Sequence, residues 1–331
     1  MRSFAYKIAA DPAGAVKILA SDAGAKFIAG GTNLVDLMKE GVDQPTTLVD
    51  ISRLPLSVVR SLGGGVSIGA LARNADTANH PLLRGQYPML TQAILAGASP
   101  QIRNMATNGG NLMQRTRCPY FYDLATPCNK RAAGSGCSAK DGLNYNSAIF
   151  GWSDSCVAVH PSDMCVALAA LDAVVKVRGA NGKERSIKFT DFHRLPDSTP
   201  EKDNTLAHGE LIVSIDLPKS PFADKSYYLK VRERSSYAFA LVSVAAGLDV
   251  SGNGMIRGVR IALGGVAHKP WRAEEAEKYL VGKKAGEATF REAAKIAVSQ
   301  AKPLSENGYK VKLAERSIFR ALTNAMNGGV A

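Results

Sequence analysis

At 331 residues, with 46% hydrophobic and 21% charged side chains, the chain has the composition of a folded protein with room for two or three domains. Its formal charge is +12, yet the Lys and Arg residues are scattered with no run of five or more. This argues against a nucleic-acid binder and predicts a basic surface facing an acidic partner or substrate. The start, Met1-Arg2-Ser3-Phe4-Ala5-Tyr6-Lys7, has no apolar leader core and no twin arginine, and no stretch approaches a membrane span. A cytoplasmic product is expected, unless the folded chain leaves the cytoplasm with a signal-bearing partner.

Asp11 followed by Pro12 predicts a short helix over 11–20, with an N-cap and a proline at its first position. Residues 26–29 form a short apolar strand that runs into Gly30-Gly31-Thr32-Asn33, and a helix opens at Leu34. Further strands are predicted over 48–51 and 66–70, the second introduced by Gly63-Gly64-Gly65. From 74 to 98 the pattern is helical and broken by Pro81 and Pro88. His160-Pro161-Ser162-Asp163 begins a predicted helix through Leu171, then a strand over 173–177 is joined to 185–187 through an Asn181-Gly182 hairpin. A strand over 210–217 ends at Pro218. Beyond Pro221, strands over 227–232, 241–250 and 258–263 precede amphipathic helices over 272–281, 287–301 and 309–325. Runs of strands followed by runs of helices predict a separate α+β domain.

Two turns pair glycines with Thr and Asn: Ala29-Gly30-Gly31-Thr32-Asn33-Leu34 and Thr107-Asn108-Gly109-Gly110-Asn111-Leu112. Glycine reaches positive φ and lets a ligand approach the backbone N–H groups, so a nest or helix start can bind phosphate without Lys or Arg. Either turn alone reads equally as a plain tight turn. Two of like composition suit a diphosphate held from two sides. Neither has the Gly-x-Gly-x-x-Gly or Gly-Lys-Thr spacing, so a dinucleotide here implies a fold other than a Rossmann sheet.

Lys26-Phe27-Ile28-Ala29-Gly30-Gly31-Thr32-Asn33-Leu34, Arg103 to Leu112, Ser162-Asp163, Tyr228-Leu229-Lys230 and Gly264-Gly265-Val266-Ala267 occur in this order. Together they resemble the FAD-binding subunits of the molybdenum hydroxylases, the xanthine dehydrogenase family, over essentially the whole chain. The resemblance implies an α+β fold: a vanillyl-alcohol-oxidase (PCMH)-like FAD-binding domain over 1–220, with lobes over about 1–55 and 56–220. A smaller α+β C-terminal domain is implied over 221–331. It places the first pyrophosphate loop on Lys26, Phe27, Ile28, Ala29, Gly30, Gly31, Thr32, Asn33 and Leu34. The second falls on Thr107, Gly109, Gly110 and Asn111. Asp163 falls near the flavin ring system with Lys230 beside it, a backbone contact falls at Leu211, and Tyr237 covers a flavin face. The residues alone equally allow Tyr237 as a core aromatic beside Phe239.

Four of the five cysteines fall in one segment rich in Gly, Ser, Asn and Pro that reads as loop: Cys118, Cys128, Cys137 and Cys156. Nine, eight and eighteen residues separate them, which is neither a zinc knuckle nor a compact ferredoxin run. Two disulfides, structural zinc, an iron–sulfur cluster and free thiols all remain open on residue chemistry. The resemblance narrows the choice. The step from Leu112 to Ser162 carries an insertion over about 113–159, longer than an ordinary loop. Its Arg117-Cys118-Pro119-Tyr120-Phe121-Tyr122, Pro127-Cys128-Asn129-Lys130-Arg131 and Gly134-Ser135-Gly136-Cys137 resemble the branch of bacterial periplasmic aldehyde oxidoreductases. That branch implies a 4Fe–4S cluster on the four cysteines, beside FAD. It also implies partners, a large molybdenum-cofactor subunit and a small 2Fe–2S subunit in a heterotrimer, and export with a signal-bearing partner. The β subunit of 4-hydroxybenzoyl-CoA reductase also carries such an insertion, and a zinc-binding scaffold without redox activity is the reading from another class.

Cys165 lies on an apolar helix face and reads as a buried small residue, not a ligand. Among His80, His160, His193, His208 and His268 no pair has metal-ligand spacing; His160 is placed to approach cluster or flavin, or simply to precede Pro161 in a turn. Trp152 and Trp271 read as packing residues. No residue set suggests a substrate-activating base, as suits a chain that relays electrons.

Overall fold

The computed structural model describes residues 1–329. Three sheets succeed one another along the chain. Strands β1 (Ala5–Ile8), β2 (Ala25–Ile28) and β3 (Thr47–Asp50) form a parallel sheet in the order β1-β3-β2. Strands β4 (Val59–Leu62), β5 (Gly65–Gly69), β6 (Val174–Arg178), β7 (Glu184–Lys188) and β8 (Leu211–Leu217) form an antiparallel sheet in the order β4-β5-β8-β6-β7. Strands β9 (Ser226–Val231), β10 (Val242–Val250), β11 (Ile256–Gly264) and β12 (Trp271–Arg272) form the third, also antiparallel.

Local chemistry accounts for most boundaries. Asp11 accepts from Gly14 N–H at 2.8 Å and caps the helix Pro12–Ala20. Pro81 and Pro88 each open a new helix, giving Pro81–Gln86 and Pro88–Ala96. Ser162 Oγ accepts from Cys165 N–H at 3.1 Å and caps the helix Asp163–Ala170. All eight residues of that helix are buried, because one side packs on β10, β11 and β12 of the third sheet and the rest on the helix Pro88–Ala96 and a core cluster shared with second-sheet side chains. Its unbroken apolar run follows from this two-sided burial. The final helix, Tyr309–Met326, instead buries one stripe (Ala314, Ser317, Ile318, Ala321, Leu322, Ala325) against the third sheet.

Strands β1 and β4 escaped the pattern analysis. Every residue of β1 is exposed and β4 is exposed but for Val59, and both lie at sheet edges, so neither shows the alternation that burial imposes. Phe150 stacks on Trp271 with centroids 5.0 Å apart, and Trp152 Nε1 donates to Lys302 O at 2.7 Å, so both tryptophans serve packing. Among the described residues no helix is long and apolar enough to cross a membrane.

The segment from Met113 to Val159 has only two single-turn helices, Pro119–Tyr122 and Ser138–Asp141, and isolated bridges at Cys128–Cys137 and Ser153–Cys156. Side chains hold it. Asp203 pairs with Arg115 at 2.7 Å and with the buried Lys130 at 2.5 Å. Burial alone would raise the Asp203 carboxyl, but the Lys130 and Arg115 cations outweigh it and hold it below the usual carboxylate range. At the other end, Lys310 Nζ reaches from the final helix to Asn146 O, Ser147 O and Gly265 O at 2.8–3.1 Å.

Candidate flavin site and thiol cluster

The first glycine turn leaves β2 and is packed backbone against backbone. A Cβ at Gly30 would overlap the Met105 carbonyl oxygen and stand 2.8 Å from its carbon, while Gly31 has φ +70. The turn thereby abuts the residues leading into the second turn. There Thr107 Oγ1 accepts from Gly110 N–H at 3.2 Å, and Gly109 N–H donates to Ala70 O at 2.7 Å. A Cβ at Gly110 would meet only the Thr107 hydroxyl, so that face is open for close approach. Lys26, at the start of the first turn's strand, is ion-paired with Asp43.

A cavity of about 350 Å³ lies beside these turns. Its wall is drawn from Thr116–Pro119, Leu143 and Tyr145–Ser147 of the inserted segment (Tyr145 stacking on Tyr309), from 158–163, from 238–241 and from Gly264-Gly265. Both turns are tied to that wall. Asn33 Oδ1 accepts from Arg115 N–H at 3.0 Å, next to Thr116. Ser162, on the wall, donates to Asn111 Oδ1 at 2.6 Å, and Asn111 continues an amide chain through Asn74 to Asn108 and Thr77. Asn33 Nδ2 is buried with no acceptor, a donor at the first turn suited to a phosphate or carbonyl oxygen. Glycines open to approach, an orphaned donor and an adjoining cavity fit a dinucleotide.

Asp163 stands on the cavity wall, and Lys230 stands behind it. Lys230 Nζ bonds Asp163 Oδ2 at 2.8 Å and Ala96 O at 3.0 Å, and the pair is only 4% and 7% exposed. Tyr228, two residues earlier on β9, donates to Asp163 Oδ1 at 2.6 Å. Asp163 is thus locked from behind, and the sequence pattern missed Tyr228 although it alternates with Lys230 on one strand. Leu211 begins β8 with its side chain in the core against the first sheet, so only its backbone is on offer. Tyr237 is 56% exposed with φ +48 and lies off the cavity wall, so it is not a core aromatic. Phe239 is on the wall instead, with the Arg117 guanidinium 5.2 Å from its ring centroid. Burial lowers the Arg117 pKa.

The four clustered cysteines, though spread over 39 positions of chain, line one small space. Cys118 also lines the larger cavity, so the two sites share a wall. None of the five cysteines is in a disulfide. Burial pushes Cys118 up to about 11. Cys137 and Cys156 stand close enough to couple, which draws Cys137 down to about 6 and raises Cys156. No three of the four sulfurs come within 4.8 Å of one another. One zinc ion with sulfurs at ~2.3 Å would hold them about 3.8 Å apart.

Cys165 is fully buried and lies outside this thiol space, as expected. The histidines require a correction. His160 and His193 have no local metal-ligand spacing, yet the fold brings their rings to 4.3 Å, next to Cys165. Long-range packing, invisible in spacing, produces this contact.

A parallel-sheet lobe, an antiparallel-sheet lobe and a trailing α+β domain around paired glycine turns define a flavin-binding chain of the PCMH type. Residues 2–220 match the family described as the FAD-binding domain in molybdopterin dehydrogenase, and 227–325 match the CO dehydrogenase flavoprotein C-terminal domain. The chain belongs to the FAD-binding subunits of the molybdenum hydroxylases. It is 48% identical to the aldehyde oxidoreductase FAD-binding subunit of Escherichia coli, over 98% of this chain and 99% of that one. It is 30% identical to the glyceraldehyde dehydrogenase medium chain of Sulfolobus acidocaldarius, over 92% and 90%. Among solved structures, carbon monoxide dehydrogenase from Hydrogenophaga pseudoflava superposes with a TM-score of 0.77 over 98% of both chains at 26% identity. Quinoline 2-oxidoreductase from Pseudomonas putida 86 shares the fold, with a TM-score of 0.77 at 24% identity over 100% and 99%.

Proposed function

We propose that this chain is the FAD and 4Fe–4S subunit of a heterotrimeric molybdenum aldehyde oxidoreductase. A large subunit with the molybdenum cofactor oxidises the aldehyde, and a small 2Fe–2S subunit delivers electrons to this chain, which passes them to an external acceptor. The observation that carries the reading is the convergence of Cys118, Cys128, Cys137 and Cys156 on one space that shares Cys118 with the cavity beside Asp163. The near-half identity to an aldehyde oxidoreductase FAD-binding subunit supports the substrate class. Export into the periplasm with a signal-bearing partner is part of the same proposal.

Bound FAD supplies exchange between two-electron and one-electron chemistry. This chain's residues hold and shield it. The turns at Lys26–Leu34 and at Thr107, Gly109, Gly110 and Asn111 hold the pyrophosphate through backbone N–H groups and the Asn33 amide. Asp163, fixed by Lys230 and Tyr228, presents a carboxylate acceptor at the ring end. Leu211 offers its backbone. Tyr237 covers a flavin face, with Phe239 of the cavity wall beside it in sequence. The four cysteines hold the cluster as thiolates, and their wide spacing suits several irons better than one zinc ion. Binding there ties 39 residues of sparsely ordered chain together.

Anaerobic purification followed by iron, sulfide, zinc and flavin analysis tests the assignment. About four irons and one FAD per chain are expected, with iron lost from Cys128→Ser. Zinc without iron would overturn the cluster. Aldehyde oxidation by the isolated chain would overturn the relay role.

A further inference from the structure

We propose that His160, Cys165 and His193 form a second metal site, for a thiophilic d10 cation (zinc(II) or copper(I)), separate from the four-cysteine set. One nitrogen of each ring and the Cys165 sulfur lie within 4.8 Å of one another. The three residues are 9%, 0% and 3% exposed. They come from three places: the end of the inserted segment, the first turn of the helix Asp163–Ala170, and the residue after the short helix Phe189–Phe192.

Two further observations point to a ligand. His193 Nε2 donates to Leu112 O at 2.9 Å, which leaves Nδ1 with an unshared lone pair, and that nitrogen is buried without a partner. A backbone carbonyl that fixes a histidine tautomer in this way is a usual companion of metal ligation. His160 Nδ1 accepts a long 3.3 Å bond from Ser162 N–H, and its Nε2 is also buried without a partner. Phe189 and Phe192 pack edge-on against His193 and keep the ring in place. No carboxylate belongs to the set, so it is soft and nitrogen-rich, unsuited to magnesium or calcium.

Binding is balanced by protons. Cys165 loses its thiol proton to solvent and becomes the thiolate ligand. His193 already presents a lone pair. His160 binds through Nε2 by moving its ring proton to Nδ1, at the expense of the long Ser162 bond. Ligands on zinc stand about 3.3–3.8 Å apart, so small side-chain rotations close the set.

The test uses the full chain with its iron and flavin in place, exposed anaerobically to zinc(II) in one arm and copper(I) in the other, then desalted. About one equivalent retained is expected, with an X-ray absorption fine structure of two nitrogens near 2.0 Å and one sulfur near 2.3 Å. Cys165→Ser and His193→Gln should each lower retention at least tenfold while iron stays unchanged, and Cys128→Ser should lose iron yet still retain the added ion. Retention of neither ion by the wild-type chain, or an all-sulfur shell, overturns the proposal. The spectroscopic arm on the wild type decides even if a variant fails to fold.

Discussion

The glycine turns are hydrogen-bonded to Arg115 and Ser162 at the edge of the cavity that the inserted segment lines, but the two regions are built in opposite ways. The turns are backbone packed on backbone: Gly30 against Met105, Gly109 against Ala70, with an amide chain from Asn111 to Thr77 behind them. The inserted segment has almost no regular structure and is held by side chains, chiefly Asp203 with Lys130 and Arg115, and Lys310 with three carbonyls. A site made of backbone fails through sterics at single atoms. A site made of side chains fails through charge, and a cluster can compensate for what the fold leaves loose.

The sharpest break of this contrast is Gly30→Val. Its Cβ would overlap a backbone oxygen, which no side-chain rotation relieves, so the turn itself must move. Flavin content after gel filtration should fall at least tenfold while iron is retained, because the four cysteines lie in the other region. Gly63→Ala is the control. Gly63 also has positive φ, but nothing lies within 4 Å of its Cβ position, so the cost is about 1 kcal/mol and flavin stays bound. Equal loss of iron and flavin from Gly30→Val would show that the two regions fail as one.

The reciprocal change is Asp203→Asn. It leaves the Lys130 ammonium, 3% exposed, without its anion, and removing one partner of a buried pair costs about 3–5 kcal/mol. The effect should fall on the inserted segment: faster iron release to a chelator and new proteolytic cuts between 113 and 159, with flavin retained. Unchanged iron release would mean that the cluster alone orders the segment.

These regions also differed in how plainly the sequence announced them. The turns carry their purpose locally, since Gly-Gly beside Thr and Asn is a conformational statement that needs no tertiary context. The four cysteines were conspicuous by clustering, and their convergence required only one segment to fold back on itself. Tyr228, Arg117 and Phe239 were harder, because an aromatic or an arginine on a strand or loop has many ordinary explanations until the fold shows what it faces. The His160–His193 contact was illegible, since 32 residues separate two rings that packing alone brings together. Edge strands β1 and β4 were lost for the opposite reason: exposure erased their pattern.

The smallest predicted effect probes the second anchor of the inserted segment. Lys310 is buried at 1% exposure, and burial pushes its pKa down to about 7 although three carbonyls accept from it. The unfolded chain keeps the Lys310 proton up to about 10.4, whereas the folded chain sheds it above about 7. Between these values the unfolded state binds the extra proton, so stability rises with pH, by about 1.4 kcal/mol per pH unit for this one group. Below 7 both states are charged and the full burial penalty applies. Lys310→Met removes the titration and keeps the stem. Urea unfolding at pH 7, 8 and 9 should therefore show the wild type gaining on the variant by about one proton's slope. Parallel curves would mean that the three carbonyl bonds hold the ammonium charged in the fold. Lys310 would then be a charge-based anchor like Lys130, which would sharpen the contrast with the backbone-built turns.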